Sequence, residues 1–212
     1  MPLTEIYFMF ISNIRQTSPG RLTVTFEDGS EVKTTLGTVT ELRLFSGRDM
    51  EEALYEEFIL SSRRSLARER ALEILSRRSM SRYELKKKLI EKGEDEDIAE
   101  YCAAWLADNG LINDESYAQA LGRHYAAKGF GPGRLKAELS KRGIDRQLWE
   151  ETLENMPVNE GKMDKFIAAR LKDPTDREQV RKVSAALFRR GHSWDEIRAA
   201  LSRFECEAEF ED

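Results

Sequence analysis

Residues 117–144, YAQALGRHYAAKGFGPGRLKAELSKRGI, decide how this chain is to be read, because it writes their pattern three times. The stretch closes with Leu135, Leu139 and Gly143, each four residues after the last. Leu85, Leu89 and Gly93 upstream repeat that spacing, and so do Val183, Leu187 and Gly191 downstream. Apolar residues four apart stack on one helix face, and a glycine four residues further on supplies the left-handed residue that ends a helix. The glycines recur about every 50 residues, the upper range for helical-repeat units. The spacing predicts a mainly α fold: a tandem array of three three-helix repeats, curved, elongated and solenoid-like, whose function lies on an extended surface.

In the first repeat, Ala71, Leu72 and Leu75 mark one helix. Ser79 or Ser81 caps the next, which carries Leu85 and Leu89, and Ile98, Cys102, Trp105 and Leu106 form a third ending at Asn109 and Gly110. The second repeat offers Tyr117, Leu121 and Tyr125, a break at residues 129–133, the Leu135 helix with Pro132 in its first turn, and a helix bearing Leu148, Thr152 and Leu153. The third offers Phe166, Ile167 and Leu171, a break at Asp173 and Pro174, the Val183 helix, and a last helix with Trp194, Ile197 and Leu201 capped by Ser193. Each unit is too small to bury its apolar face alone, so neighbours complete the core. Trp105, Trp149 and Trp194 all fall on third helices and are expected as core aromatics at unit junctions.

Ahead of the repeats the period changes to two. Leu22, Val24 and Phe26 alternate with polar residues, Asp28 and Gly29 form a tight turn, and Val32 resumes an extended run, a β-hairpin pattern. Thr38 or Thr40 is the candidate cap of a short helix through Leu42 and Leu44, and Asp49 that of a helix from about Met50 to beyond Ser62. The expected divisions are residues 1–60, with the hairpin and short helices, and repeats at 61–113, 114–160 and 161–212.

The net charge of −5 conceals an alternation. Residues 63–92 hold eleven Lys and Arg against four Glu, while residues 94–115 hold eight acids and no base. Basic runs return at residues 123–146 and 165–190, with acidic runs between and after them. One charged run is an ordinary solvated helix face. Recurrence in register with the repeat points instead to a basic stripe suited to phosphates or an acidic protein groove.

Catalytic chemistry finds no support. His124 and His192 lie in different repeats without ligands at metal spacing, so neither metal nor cofactor is expected. The acidic residues 94–97 lack the alternating ligands of a calcium loop and suit a helix start. The turn GFGPG at residues 129–133 lacks the following Gly-Lys-Ser/Thr of a phosphate cradle and lies between helices, so it reads as a helix start. Cys102 and Cys206 suit no disulfide framework, which favours a reducing cytoplasm, and no run is long enough for a signal core or a membrane span.

The string WLADNGLINDESYAQAL at residues 105–121, followed by GFGPGRLKAELSKRGI at residues 129–144, closely resembles the bacterial RecX regulatory proteins. SRYELKKKLIEKG at residues 81–93 is similar to the matching part of that family, and the third repeat is recognised mainly by its likeness to the other two. The resemblance implies a three-helix-repeat protein without catalytic activity. Such a protein lies in the helical groove of the RecA–DNA filament and inhibits ATP hydrolysis, strand exchange and the repressor cleavage of the SOS response. Its partner would be RecA on single-stranded DNA, with direct DNA contact also open, and the protein itself is expected to be monomeric.

Charge recurrence places the expected contacts on the second helices. They are Arg82, Lys86 and Lys87 in the first repeat, Arg134, Lys136, Lys141 and Arg142 in the second, and Arg181, Lys182, Arg189 and Arg190 in the third. Two other readings stay open: a stand-alone nucleic-acid-binding protein, and a helical scaffold for an acidic partner. The hairpin seals exposed apolar surface at the end of the array or contributes to binding.

Overall fold

The computed structural model describes residues 8–158 and 160–204. The chain divides into two compact units: one holds the described residues up to Ser79 with Leu85–Leu111, the other Met80–Glu84 with the described residues from Ile112 onward.

The first unit opens with four antiparallel strands, β1 (Phe8–Ser18), β2 (Arg21–Phe26), β3 (Glu31–Thr35) and β4 (Asp49–Glu51), in the order β3-β2-β1-β4. The β2–β3 hairpin is the expected one. Val24 faces Val32, Gly29 takes φ +84°, and the Asp28 carboxylate accepts the Ser30 N–H at 2.8 Å. Strands β1 and β4 enlarge the expected hairpin to a four-stranded sheet. In β1 a bulge between Ile11 and Asn13 breaks the period of two, so that Ile11 and Ile14, three apart, both join the core of Val24, Phe26, Met50 and Phe58.

Helix α1 (Leu36–Glu41) is capped by Thr35, whose Oγ1 accepts the Thr38 N–H. Thr38 and Thr40, the expected caps, lie inside the helix, and Thr38 is buried with its hydroxyl on Ser65 at 3.0 Å. Asp49 pairs in β4 and caps nothing; α2 (Glu52–Arg77) starts after Glu51. At 26 residues α2 is one unbroken helix. Its first half packs Phe58 and Ser62 on the sheet, where Ser62 Oγ donates to Thr34 Oγ1 at 2.8 Å. Its second half, with Ala67 and Ala71 buried, is the first helix of repeat one beside α3 (Arg82–Glu91) and α4 (Glu96–Asp108). Small residues there let the backbones approach.

The second unit holds repeat two, α5 (Asp114–Ala127), α6 (Pro132–Lys141) and α7 (Trp149–Glu154), the last entered through a 3-10 turn at Arg146–Leu148. Repeat three is α8 (Glu160–Ala168), α9 (Arg177–Arg189) and α10 (Trp194–Ser202). Their cores are built from Leu121, Leu135, Leu139 and Ile144, and from Ile167, Val183, Leu187 and Ile197. The sequence signature of each second helix closes it the same way. Gly93, Gly143 and Gly191 have φ of +93°, +64° and +87°, and the following N–H returns to the carbonyl of Leu89, Leu139 or Leu187.

Ser81, not Ser79, caps α3, in a reciprocal pair where Glu84 N–H donates to Ser81 Oγ at 3.0 Å and Ser81 N–H to Glu84 Oε2 at 3.2 Å. Ser193 and Glu196 do the same for α10. Helix α9 is capped at its start by Asp176, which accepts the N–H groups of Glu178 and Gln179 at 2.9 and 3.2 Å. Bonds from the Gln179 side chain and backbone favour the ionised form and hold its carboxyl below the usual 3.8. A depressed folded value gives stability that is present above the unfolded value and lost as pH falls through the folded one. Asp176→Ala should therefore lower the melting temperature at about pH 7, with the gap to the parent closing below about pH 4. Circular dichroism melts across the acid range check this; a constant gap would assign the effect to helix propensity.

Candidate binding surface on the second helices

The GFGPG turn positions α6 through backbone contacts. Gly131 N–H donates to the Arg190 carbonyl and Gly133 N–H to the Gly191 carbonyl, each at 2.9 Å. A Cβ on Gly131 would stand 2.6 Å from His192 N and overlap the Gly191 carbonyl; one on Gly191 would stand 2.9 Å from Arg134 Cβ. With both amides occupied by carbonyls, the turn has no donors left there for a phosphate. The start of α3 meets the end of α6 in the same manner. Ser81 Oγ donates to the Arg142 carbonyl at 2.5 Å, and the Tyr83 side chain lies where a Cβ on Gly143 would go. Each second helix of these two thus begins against the Arg-Gly end of the next one. The repeat motif specifies a junction as well as a helix stop.

The same two arginines are held inside the second unit. Arg142 Nη1 donates to Tyr117 Oη at 2.5 Å and to Glu84 Oε1 at 3.2 Å, with Glu138 Oε2 at 3.6 Å from its Nε. Burial opposes its charge, yet Tyr117, Glu84 and Glu138 together hold it above the ordinary arginine value. Arg190 donates to the Lys128 and Gly129 carbonyls, and its guanidinium lies 4.7 and 4.8 Å from the ring centres of Phe130 and Phe166.

The other expected contacts divide by their partners. Lys86 bridges Glu96 at 3.0 Å and Glu100 at 3.2 Å, and these hydrogen bonds raise its amine above the ordinary value. Arg134 pairs with Glu138 and Lys182 with Glu178 one turn away. Arg82 is exposed while its backbone N–H donates to Asp114, whose carboxyl burial raises. Lys87, Lys136, Lys141, Arg181 and Arg189 are exposed and make no ion pair among the described residues. All three second helices therefore present unneutralised cations.

Sequence reasoning missed two features. On α2, Arg64 and Arg68 lie 4.1 and 4.9 Å from the ring centres of Tyr101 and Trp105. Their i,i+4 spacing against an aromatic pair with the same spacing was the available signal. On repeat three, Phe188 and Trp194 stack at 4.9 Å and 15°, and stand 51% and 42% exposed. Trp194 is thus no core aromatic, whereas Trp149 packs with the Leu135 cluster and Trp105 lies under Arg68. Phe188 follows Leu187 directly and so falls off the apolar stripe. A groove of about 570 Å³ runs beside the stacked pair, with Pro132, Arg134 and Lys136 on one wall and Phe188 and Arg189 on the other. Among the described residues no group of three or more His, Cys, Asp or Glu is placed to hold a metal, and no helix is long and apolar enough to cross a membrane.

Sheet, repeat closure and repeated junction define a tandem three-helix-repeat protein with basic second helices. Residues 67–106 and 113–153 match the family descriptions "RecX, first three-helix domain" and "RecX, second three-helix domain". The chain is 35% identical over 142 residues to the regulatory protein RecX of Xanthomonas axonopodis pv. citri (strain 306), covering 66% of this chain and 87% of that one. To RecX of Pseudomonas entomophila (strain L48) it is 32% identical over 141 residues, 64% and 89% of the two chains. This chain belongs to the RecX family of regulatory proteins. A crystal structure of a regulatory protein RecX shares the fold at TM-score 0.74, 22% identity, and 92% and 99% coverage. RecX from Lactobacillus salivarius gives TM-score 0.58 at 27% identity, covering 68% of this chain and 97% of that one.

Proposed function

We propose that this protein is a non-catalytic, cytoplasmic regulator that binds RecA on single-stranded DNA in the filament groove and inhibits ATP hydrolysis, strand exchange and repressor cleavage. The supporting observation is the set of exposed cations on all three second helices that make no ion pair among the described residues, Lys87, Lys136, Lys141, Arg181 and Arg189, in a member of the RecX family. An anionic filament suits that pattern. Cations already held by acids within the chain gain less from an external anion, so the unpaired five carry the binding. Arg142 and Arg190 act indirectly, holding the junctions that orient α6 and α9.

Lys136→Glu/Lys141→Glu/Arg189→Glu should weaken inhibition of RecA ATPase on single-stranded DNA and flatten its dependence on salt, since fewer counterions are released per binding event. Undiminished inhibition with an unchanged salt slope would remove α6 and α9 from the contact. Titration against naked single-stranded DNA runs beside it. Tight binding there without RecA would replace the filament reading with direct nucleic-acid binding.

A further inference from the structure

We infer that Arg64 and Arg68 on α2 form a phosphate site that takes neighbouring phosphodiesters of a single nucleic-acid strand. The fold places both guanidiniums. Arg64 lies 4.1 Å from the ring centre of Tyr101 and Arg68 4.9 Å from that of Trp105, and since both pairs are spaced by four residues, the two contacts lie side by side along α2 and α4. A guanidinium stacked on a ring keeps its N–H groups for an oxygen anion and loses little freedom on binding one. Arg64 Nε is buried without an acceptor, whereas the terminal nitrogens of both side chains are not buried and have no acceptor among the described residues.

The charges on α2 and α4 leave these two cations over. Arg63 and Arg70 are matched by Asp95 and Glu94, Glu69 is held by Arg21 at 2.8 Å, and Glu96 and Glu100 hold Lys86 at 3.0 and 3.2 Å. Asp97 and Asp108 share the exposed face of α4 with Tyr101 and Trp105, pair with neither arginine, and bound the site at its two ends. Only an outside anion neutralises the pair. Four helical residues advance about 6 Å, close to the separation of neighbouring phosphates on an extended strand. The rings lie under the guanidiniums and offer no open apolar anchor of the kind a protein partner uses, while phosphate binding runs on charge alone. The contact uses other residues than the second-helix surface. Two phosphates give a weak association, short of the tight binding that would replace the filament reading.

The test titrates the full chain with a single-stranded oligothymidylate at several salt concentrations, without RecA, so its failure is distinct from failure of the proposed function. Two phosphate contacts contribute about −1.4 to the slope of log affinity against log salt, and Arg64→Gln/Arg68→Gln should flatten the slope by that amount. Arg64→Lys/Arg68→Lys keeps both charges but neither the fork nor the ring stacking, so it should keep most of the slope while binding severalfold more weakly. In the parent, the strand should shift the Trp105 indole NMR signal more than those of Trp149 and Trp194. A parent slope in the glutamine variant, with circular dichroism confirming its fold, overturns the proposal. Parent affinity in the lysine variant does so too, by reducing the site to diffuse charge. An equal Trp105 shift on adding polyglutamate would assign the pair to an acidic protein instead.

Discussion

Gly191→Ala is expected to destabilise the second unit by about 4–7 kcal/mol, from overpacking at about 1–3 kcal/mol, the left-handed backbone at about 1–2, and loss of two hydrogen bonds at about 1 each. The residue has φ +87°, and a Cβ there would overlap the Arg134 backbone N and stand 2.9 Å from Arg134 Cβ. These atoms belong to the first turn of α6, so relief requires moving the helix and breaking the bonds from Gly131 and Gly133 to the Arg190 and Gly191 carbonyls. Three further substitutions separate the causes. Gly93→Ala shares the positive φ but opens onto empty space, so it reports strain alone, about 1–2 kcal/mol. Gly131→Ala has an ordinary φ and isolates the overlap. Gly161→Ala, in α8 with nothing near its Cβ, should be neutral or stabilising by about 0.4–1 kcal/mol. Equal costs for Gly93→Ala and Gly191→Ala in urea unfolding would mean that the docking of repeat three onto α6 contributes nothing.

The comparison between Gly93 and Gly191 also marks what was legible in the sequence. Helix closure is local: a glycine four residues after a leucine announces its own conformation, and all three predicted stops are present. That Gly131 and Gly191 touch is not local, since the pair lies 60 residues apart and its signature, glycine where a neighbouring backbone must approach, looks like any turn. The β2–β3 hairpin was legible because alternation and an Asp-Gly turn coincide there. The bulge in β1 hid the longest strand by placing Ile11 and Ile14 on one side at odd spacing. The cap at Thr35 and the start of α2 after Glu51 were missed because Thr38, Thr40 and Asp49 are good cap residues by type, and the choice was made by burial of Thr38 and pairing of β4.

Charge recurrence named helices that present exposed cations but could not say which of those cations lack an ion pair among the described residues. Neutralisation depends on acids brought in by other helices, as Glu96 and Glu100 of α4 are brought to Lys86. It depends equally on acids one turn away, and here the sequence held the answer: Glu138 follows Arg134 by four and Lys182 follows Glu178 by four. The exposed aromatic stack required knowing that the turn after Gly191 folds α10 back beside α9.

Arg142→Ala is expected to cost about 2–3 kcal/mol, because removing one partner of a largely buried ionic cluster leaves the others uncompensated. The Arg142, Glu84 and Glu138 side chains are only 23%, 18% and 9% exposed. The cost falls below the range for fully buried pairs because Glu84 keeps the Ser81 N–H and Tyr117 hydroxyl, and Glu138 keeps Arg134. Coupling is the sharper readout. Arg142→Ala/Glu84→Gln should be less destabilised than the sum of the singles by at least about 1 kcal/mol, as expected for groups in direct contact. Lys141→Glu, one residue earlier and exposed, should change stability by no more than about 0.5 kcal/mol while weakening filament inhibition. The opposite result, full stability in Arg142→Ala with inhibition lost, would return Arg142 to the binding surface and leave the Glu84–Tyr117–Glu138 cluster without a structural role.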